Sequence, residues 1–417
     1  MSTVIYPSKL HGAVKAPPSK SHIQRLCLCA ALSDAPSRIL CGTLCEDAQV
    51  MRDALIALGA QIVSFDGGLS VVPIRSKAAD LPLLSCGESG AALRFLLPVV
   101  CALGGGAEIR LGERLRQRPL AALTEELTRC GARMEYTAGN TLSVRGALQK
   151  NEFFIPADIS SQYASGLLFA CAALGGGAVN ITTEISSAPY IDMTVEALRS
   201  CGVAMTREGN RICVSGRPRM SGTVSCEGDW SGAAFWLCAG AVGTQPVTVT
   251  GLDPASVQGD RNITEILRRF GAQISVTGDA VTVRPQKLTG ITIDADNVPD
   301  LIPALSVVCA CADGVSRIYN AGRLRTKESD RVGAVCQMIA SLGGDASFDG
   351  EDIVIRGGCL SGGSVRSYGD HRIAMAAAIA SNACRMPVTL DDFAVYKKSY
   401  PDFARDFISL GGRYESV

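Results

Sequence analysis

Glu265-Ile-Leu-Arg-Arg-Phe-Gly-Ala272 runs directly into Gln273-Ile-Ser-Val-Thr-Gly-Asp-Ala-Val-Thr-Val283. The first segment has helical spacing of its apolar residues and stops at Gly271, where a left-handed C-cap costs glycine nothing. The second alternates apolar and polar residues on either side of Gly278-Asp279, the pattern of a β-hairpin. The same phrase occurs five more times. It reads Asp53-Ala-Leu-Ile-Ala-Leu-Gly-Ala60, Glu125-Glu-Leu-Thr-Arg-Cys-Gly-Ala132 and Glu196-Ala-Leu-Arg-Ser-Cys-Gly-Val203 before this copy. After it come Gln337-Met-Ile-Ala-Ser-Leu-Gly-Gly344 and Ala404-Arg-Asp-Phe-Ile-Ser-Leu-Gly-Gly412. The glycines recur about every 70 residues, so six copies account for nearly the whole chain.

A second helix, richer in alanine and more apolar, precedes each of these. The six begin near Lys20, Ser89, Ser160, Ser231, Asp300 and Asp370, and each feeds a short strand such as Pro246-Val-Thr-Val-Thr250. One copy therefore reads strand–helix–strand–helix–strand–strand. Helices this apolar should be buried between sheets, with the glycine-ended helices lying further out. The expected fold is α/β, with two similar domains of three βαβαββ repeats each. A boundary near Cys226–Asp229 assigns residues 14–226 to the first domain, and residues 1–13 plus 227–417 to the second. The sixth copy lacks its last strand, which Thr3–Tyr6 is expected to supply.

Composition narrows the chemistry. Lys plus Arg balances Asp plus Glu at 40 each, so no whole-molecule field attracts nucleic acid or anionic lipid, and any anion site must be local. Hydrophobic residues make up 47% but aromatic ones only 5%, which favours helices tightly packed on sheets. The 17 cysteines are scattered, without a Cys-x-x-Cys pair, and read as reduced core residues. With three histidines besides, no metal site is expected. The N-terminus lacks signal-peptide character and the apolar runs are too short to span a bilayer, so a soluble cytoplasmic protein is expected, acting as a monomer.

Polar residues gather in the first turn of each apolar helix. Pro18-Ser-Lys-Ser-His-Ile-Gln-Arg25, Cys86-Gly-Glu-Ser-Gly-Ala-Ala-Leu-Arg94, Asp158-Ile-Ser-Ser-Gln-Tyr163, Asn297-Val-Pro-Asp300 and Tyr368-Gly-Asp-His-Arg372 all sit there. Free N–H groups and the dipole favour an anion at such an end by roughly 0.3–1 kcal/mol. Capping explains the Ser, Asp and Gly. It does not explain Lys20, Arg25, Arg94 and Arg372, cations that oppose the dipole unless a ligand supplies negative charge. Arg323-Leu-Arg-Thr-Lys-Glu-Ser-Asp-Arg331 adds four cations and two carboxylates before another helix. Thr326 or a neighbour should cap that helix, and Lys327 and Arg331, four apart, should share a face. Cations beside Glu328 suit an anionic ligand and a proton transfer. Neither a Walker loop nor a dinucleotide Gly-x-Gly-x-x-Gly at a strand–helix junction is present, and no nucleophile elbow accompanies His371.

Taken together and in this order, these motifs resemble the 5-enolpyruvylshikimate-3-phosphate (EPSP) synthase family, a branch of the enolpyruvyl transferases. Arg118-Pro119, Ser187-Ala-Pro-Tyr-Ile-Asp192 and Lys398-Ser-Tyr-Pro-Asp402 belong to the same set. The resemblance implies the inside-out α/β barrel of enolpyruvyl transferases, closing on its substrates. It also implies transfer of the enolpyruvyl group of phosphoenolpyruvate to the 5-hydroxyl of shikimate 3-phosphate, on the route to chorismate, with no cofactor. By the same resemblance Lys20, Ser21, Arg25, Ser160, Ser161, Gln162, Ser187 and Tyr190 should bind shikimate 3-phosphate, with Asp300 and Lys327. Lys20, Gly90, Arg118, Gln162, Arg331, Arg372 and Lys398 should surround phosphoenolpyruvate. Asp300 is the implied acceptor of the hydroxyl proton, and Glu328 the donor to the methylene carbon, with Lys20 or Lys398 sharing that task.

Two departures stand out. The family often reads Asn-Ala-Gly-Thr where this chain has Glu88-Ser-Gly-Ala91, which brings a carboxylate near the expected phosphoenolpyruvate site, and Phe95 replaces a common proline. The sister family that uses UDP-N-acetylglucosamine usually carries a reactive cysteine before its Arg-Pro. Leu111-Gly-Glu-Arg-Leu-Arg-Gln-Arg-Pro119 has none, and Lys20-Ser21 stands where that family has Lys-Asn. A non-catalytic anion-binding scaffold would have no need of Glu328 and Asp300 beside Lys327 and Lys398.

Overall fold

A computed structural model describes residues 2–75, 81–350 and 352–417. The six apolar segments form helices at Lys20–Ala31, Gly90–Leu103, Ser161–Leu174, Trp230–Val242, Ile302–Cys311 and His371–Ala380. Most of their residues are buried, as side chains apolar on all faces require. The glycine-ended helices follow at Glu46–Ala57, Ala121–Arg129, Ala188–Ser200, Ile263–Phe270, Arg331–Ser341 and Phe403–Ser409. Gly59, Gly131, Gly202, Gly271, Gly343 and Gly411 all have φ between 78° and 111°, the left-handed stop the repeat required.

Among the described residues there are six four-stranded sheets, one per repeat, each a parallel pair extended by two antiparallel strands, which form a hairpin in all but the sixth. The chain groups into two units, Lys20–Cys226 and Met1–Ser19 with Glu227–Val417. Each has its own hydrophobic core. In the first unit Gly90–Leu103 lies along Ser161–Leu174, with Phe95 and Phe169 5.7 Å apart. In the second, Trp230–Val242, Ile302–Cys311 and His371–Ala380 pack on one another. Side chains such as Leu305 and Ile373 are fully buried there, each worth about 1.5–3 kcal/mol of transfer free energy.

Sequence order and sheet membership part company at two strands. Gly12–Lys15 leads into the first helix but pairs in parallel with Val247–Thr250, completing the fourth repeat. Gly222–Ser225 leads into the fourth helix but pairs with Ser37–Leu40, completing the first. The first and fourth copies thus exchange their opening strands. For this reason residues 14–19 belong with the C-terminal unit and not, as expected, with residues 20–226. Backbone bonds from Ala16 N to Thr250 O and from Ser19 N to Glu227 O, both 2.8 Å, hold them there. Thr3–Tyr6 does complete the sixth sheet, but as an inner strand between Val388–Leu390 and Arg413–Ser416.

No helix among the described residues is long and apolar enough to cross a membrane. All 17 cysteines are free thiols, and no group of three or more His, Cys, Asp or Glu among the described residues is arranged to hold a metal ion.

Candidate active site

In the first unit the buried cation Arg25 is set among neutral acceptors. Arg25, one turn into the first helix, is buried. Its Nε donates to Thr194 Oγ1 (2.8 Å), Nη1 to Ser21 O (2.7 Å) and Nη2 to Tyr190 O (2.7 Å). Thr194 is in turn fixed by Ser165 Oγ at 2.9 Å, and Phe95 lies 5.0 Å beneath the guanidinium. Every one of these partners is uncharged. Burial therefore pushes the Arg25 guanidinium down to about 10, still cationic at neutral pH. A guanidinium has five N–H groups and three are used, which leaves one on each Nη for a bidentate anion.

Nearby first turns add further polar groups. Lys20 pairs with Asp47 Oδ2 at 3.2 Å. Ser160 caps its helix by accepting from Gln162 N, and Ser161 is buried beside it. Gln162 Oε1 accepts from Arg94 Nη1 at 2.8 Å. Ser187 is buried and left-handed (φ 57°), a conformation that costs a non-glycine residue about 1–3 kcal/mol and concentrates at functional positions. Arg118 ends the short helix Glu113–Gln117 and reaches Gly90 so closely that a Cβ there would lie 2.7 Å from Arg118 Nη1. Pro119 O, the next carbonyl, accepts from Tyr163 Oη (2.6 Å) and Arg94 Nη2 (3.1 Å).

In the second unit the buried cation Arg331 is caged in carboxylates instead. Arg331 is fully buried. Its Nε donates to Asp370 Oδ2, Nη1 to Asp300 Oδ1 and Nη2 to Glu328 Oε2, each at 2.8 Å. Arg372 Nη2 meets Asp300 Oδ2 at 2.8 Å. Asp370 also caps its own helix through Arg372 N (3.0 Å) and accepts from Ser329 Oγ (3.0 Å). Lys398 is buried in the turn Ala394–Lys398, which packs on the helix bearing Arg372.

Charge balance follows from this geometry. Burial alone would raise the Asp300 carboxyl, but Arg372, Arg331 and Lys327 outweigh it and hold Asp300 well below the usual carboxylate range. Burial pushes the Lys327 ammonium down to about 8 against the pull of Asp300. Buried Asp260 accepts from Ser231 Oγ, and burial followed by the Asp300 charge pushes it up to about 7.

A pH dependence follows for Lys327, whose charge is complete well below pH 8 and is lost as pH rises through it. If that charge is used on substrate, kcat/KM, which reports the free enzyme, falls on that alkaline limb. Lys327→Arg should move the limb upward by more than about one pH unit, because arginine stays protonated. An unmoved limb would detach it from Lys327.

One sequence expectation fails here. Lys327 and Arg331 do not share a helical face. Gly322–Thr326 is a 3₁₀ turn that ends at Lys327, and the α-helix starts only at Arg331. Asp330 caps it by accepting from Gly333 N, while Thr326 Oγ1 turns back to Arg323 O. The stretch carries too many charges needing separate partners to continue as one helix. The Glu88 carboxylate accepts from Leu115 N (2.8 Å) and Arg114 N (3.3 Å). Asp370, Thr194 and Asp47, which orient Arg331, Arg25 and Lys20, were not singled out as site residues from sequence. Asp370 alone carries a local signal, two residues ahead of Arg372 at a helix start, whereas Asp47 and Thr194 lie 27 and 169 residues from the cations they hold.

Residues 4–407 match the sequence profile of EPSP synthase (3-phosphoshikimate 1-carboxyvinyltransferase). The chain belongs to the EPSP synthase family. A 3-phosphoshikimate 1-carboxyvinyltransferase from Clostridium kluyveri is 37% identical over 416 residues, covering 99% of this chain and 97% of that relative. One from Methanocorpusculum labreanum is 36% identical over 419 residues, covering 99% of each. A solved structure of EPSP synthase from Acinetobacter baumannii has the same fold, with a TM-score of 0.81 over the full length of both chains at 24% identity. Within the EPSP synthase family, then, this chain holds Arg25 of one unit in a neutral cradle and Arg331 of the other in a cage of carboxylates.

Proposed function

We propose that this chain transfers the enolpyruvyl group of phosphoenolpyruvate to the 5-hydroxyl of shikimate 3-phosphate and releases phosphate. The observation that carries the reading is a pair of carboxylates, Asp300 and Glu328, held by different nitrogens of one buried guanidinium, Arg331. Addition followed by elimination needs one group to give a proton and another to take one, in fixed relation. Glu328 protonates the methylene carbon, which makes the neighbouring carbon cation-like. The hydroxyl oxygen adds there and its proton passes to Asp300. Phosphate then leaves the tetrahedral ketal as the new methyl group loses a proton, with Lys20 or Lys398 assisting the transfers.

Shikimate 3-phosphate is assigned to Lys20, Ser21, Arg25, Ser160, Ser161, Gln162, Ser187 and Tyr190, with Asp300 and Lys327 at its reacting hydroxyl. Phosphoenolpyruvate is assigned to Lys20, Gly90, Arg118, Gln162, Arg331, Arg372 and Lys398. Guanidinium forks suit its carboxylate and phosphate, and stabilise the departing polyanion. An anion that engages Arg372 draws that charge away from Asp300 and strengthens it as a base when the hydroxyl needs one. Arg331, with four of its five N–H groups given to carboxylates, acts first by holding Asp300 and Glu328 in place. The protein works as a cytoplasmic monomer in this reading.

Phosphate release from phosphoenolpyruvate tests the assignment. Release should require shikimate 3-phosphate and be absent with UDP-N-acetylglucosamine. Release with the nucleotide sugar alone would transfer the chain to the sister activity, and release with neither would leave a binding protein.

A further inference from the structure

The short helix that delivers Arg118 has no cap of its own. Glu113–Gln117 is barely more than one turn, too short to persist without outside support, and its N-cap residue is Gly112, which has no side chain to offer. The missing acceptor comes from elsewhere. Glu88, just beyond the strand Leu83–Gly87, places Oε2 on Leu115 N and Oε1 on Arg114 N, while Gly87 O accepts from Gly112 N at 2.7 Å. A carboxylate on the first amides of a helix satisfies orphan donors and complements the dipole together.

Gly112 bears this out independently. Its φ of −68° and ψ of 162° are open to any residue, so backbone freedom does not explain the glycine. Space does, because a Cβ at 112 would lie 2.1 Å from Glu88 Oε1 and 2.9 Å from the backbone oxygen of Gly87, the strand end from which Glu88 reaches over. The far end of the segment is held separately, through Pro119 O on Tyr163 and Arg94. Arg118 therefore stands between two anchors, and Glu88 is the one at the N-terminal side.

We propose that Glu88 is a positioning residue for phosphoenolpyruvate binding: by capping Glu113–Gln117 from the neighbouring strand end, it sets the guanidinium of Arg118 against Gly90. The proposal rests on the assignment of Arg118 to phosphoenolpyruvate. It also gives the family departure at 88 a function, since the carboxylate there accepts from the amides of Arg114 and Leu115.

Steady-state kinetics on the full chain, with each substrate varied in turn, test it. Glu88→Ala should raise the KM for phosphoenolpyruvate about tenfold, with the KM for shikimate 3-phosphate and kcat within about threefold. Gly112→Ala should raise the same KM at least as much, by displacing the carboxylate and crowding the Gly87 carbonyl beside it. Glu88→Gln, which keeps a neutral acceptor, should rescue most of the loss and carries the test if the alanine variant does not fold. Arg118→Ala should raise the same KM further, and removing Glu88 in that background should then add less than about twofold.

An unchanged phosphoenolpyruvate KM in Glu88→Ala, alongside a raised one in Arg118→Ala, overturns the role of Glu88. An unchanged value in Arg118→Ala instead removes the assignment of Arg118 to phosphoenolpyruvate. Equal losses for both substrates, or a full Glu88 effect without Arg118, would reduce Glu88 to a general structural support and overturn the proposal as well.

Discussion

Glu328→Gln should lower turnover by about 10²–10⁴-fold while shikimate 3-phosphate still binds. The substitution is nearly isosteric, and the glutamine carbonyl can keep the 2.8 Å bond from Arg331 Nη2. Arg331 would remain paired with Asp300 and Asp370, so no buried charge is abandoned and the fold should hold. What disappears is the group that can give a proton to carbon and take one back. Single-turnover measurement of phosphate release, with calorimetric titration of shikimate 3-phosphate, separates the two effects. Turnover within about tenfold of the parent would remove Glu328 from the chemistry and leave it a partner of Arg331 only.

Arg25→Ala should weaken shikimate 3-phosphate binding by about 2–5 kcal/mol, or roughly thirtyfold to several thousandfold. The size of the effect follows from the absence of any carboxylate among the partners of Arg25. Thr194 Oγ1 and the carbonyls of Ser21 and Tyr190 orient the fork without neutralising it. A phosphate would supply the missing charge in a buried setting, where charge-assisted bonds are strong. Arg25→Lys should recover only part of the affinity, because an ammonium keeps the charge but loses the planar pair of donors. Calorimetry on the three proteins checks this, and a dissociation constant unchanged in Arg25→Ala would send the 3-phosphate to another site.

The contrast between Arg25 and Arg331 shows how far the sequence could be read. Both are arginines near a helix start, both were assigned to anionic ligands, and both are buried. Arg25 meets neutral acceptors and retains donors, whereas Arg331 is engaged by Asp300, Glu328 and Asp370. Nothing local distinguishes them, because the partners lie 31 to 39 residues away from Arg331 and up to 169 away from Arg25, apart from Glu328 and Ser21. Glu88 is a similar case. As a charge next to Gly90 it looked like an intrusion on a ligand, and its partners, the amides of Arg114 and Leu115, cannot be foreseen from composition or spacing.

The sequence by itself determined the repeat, its six helix pairs, the glycine stops and the family, because caps, turns and periodicity are local and recur with every copy. It also placed the cations in the first turns of the apolar helices, where they oppose the dipole. Only the tertiary structure decided that the first and fourth copies exchange their opening strands, that Lys327 lies outside the helix begun by Arg331, and which cations are caged and which are left with donors to spare. Those outcomes depend on backbone edges and charges meeting across long stretches of chain. A strand pairs with whichever edge the packed core presents, and a buried charge settles on whichever partners the fold brings within hydrogen-bond reach.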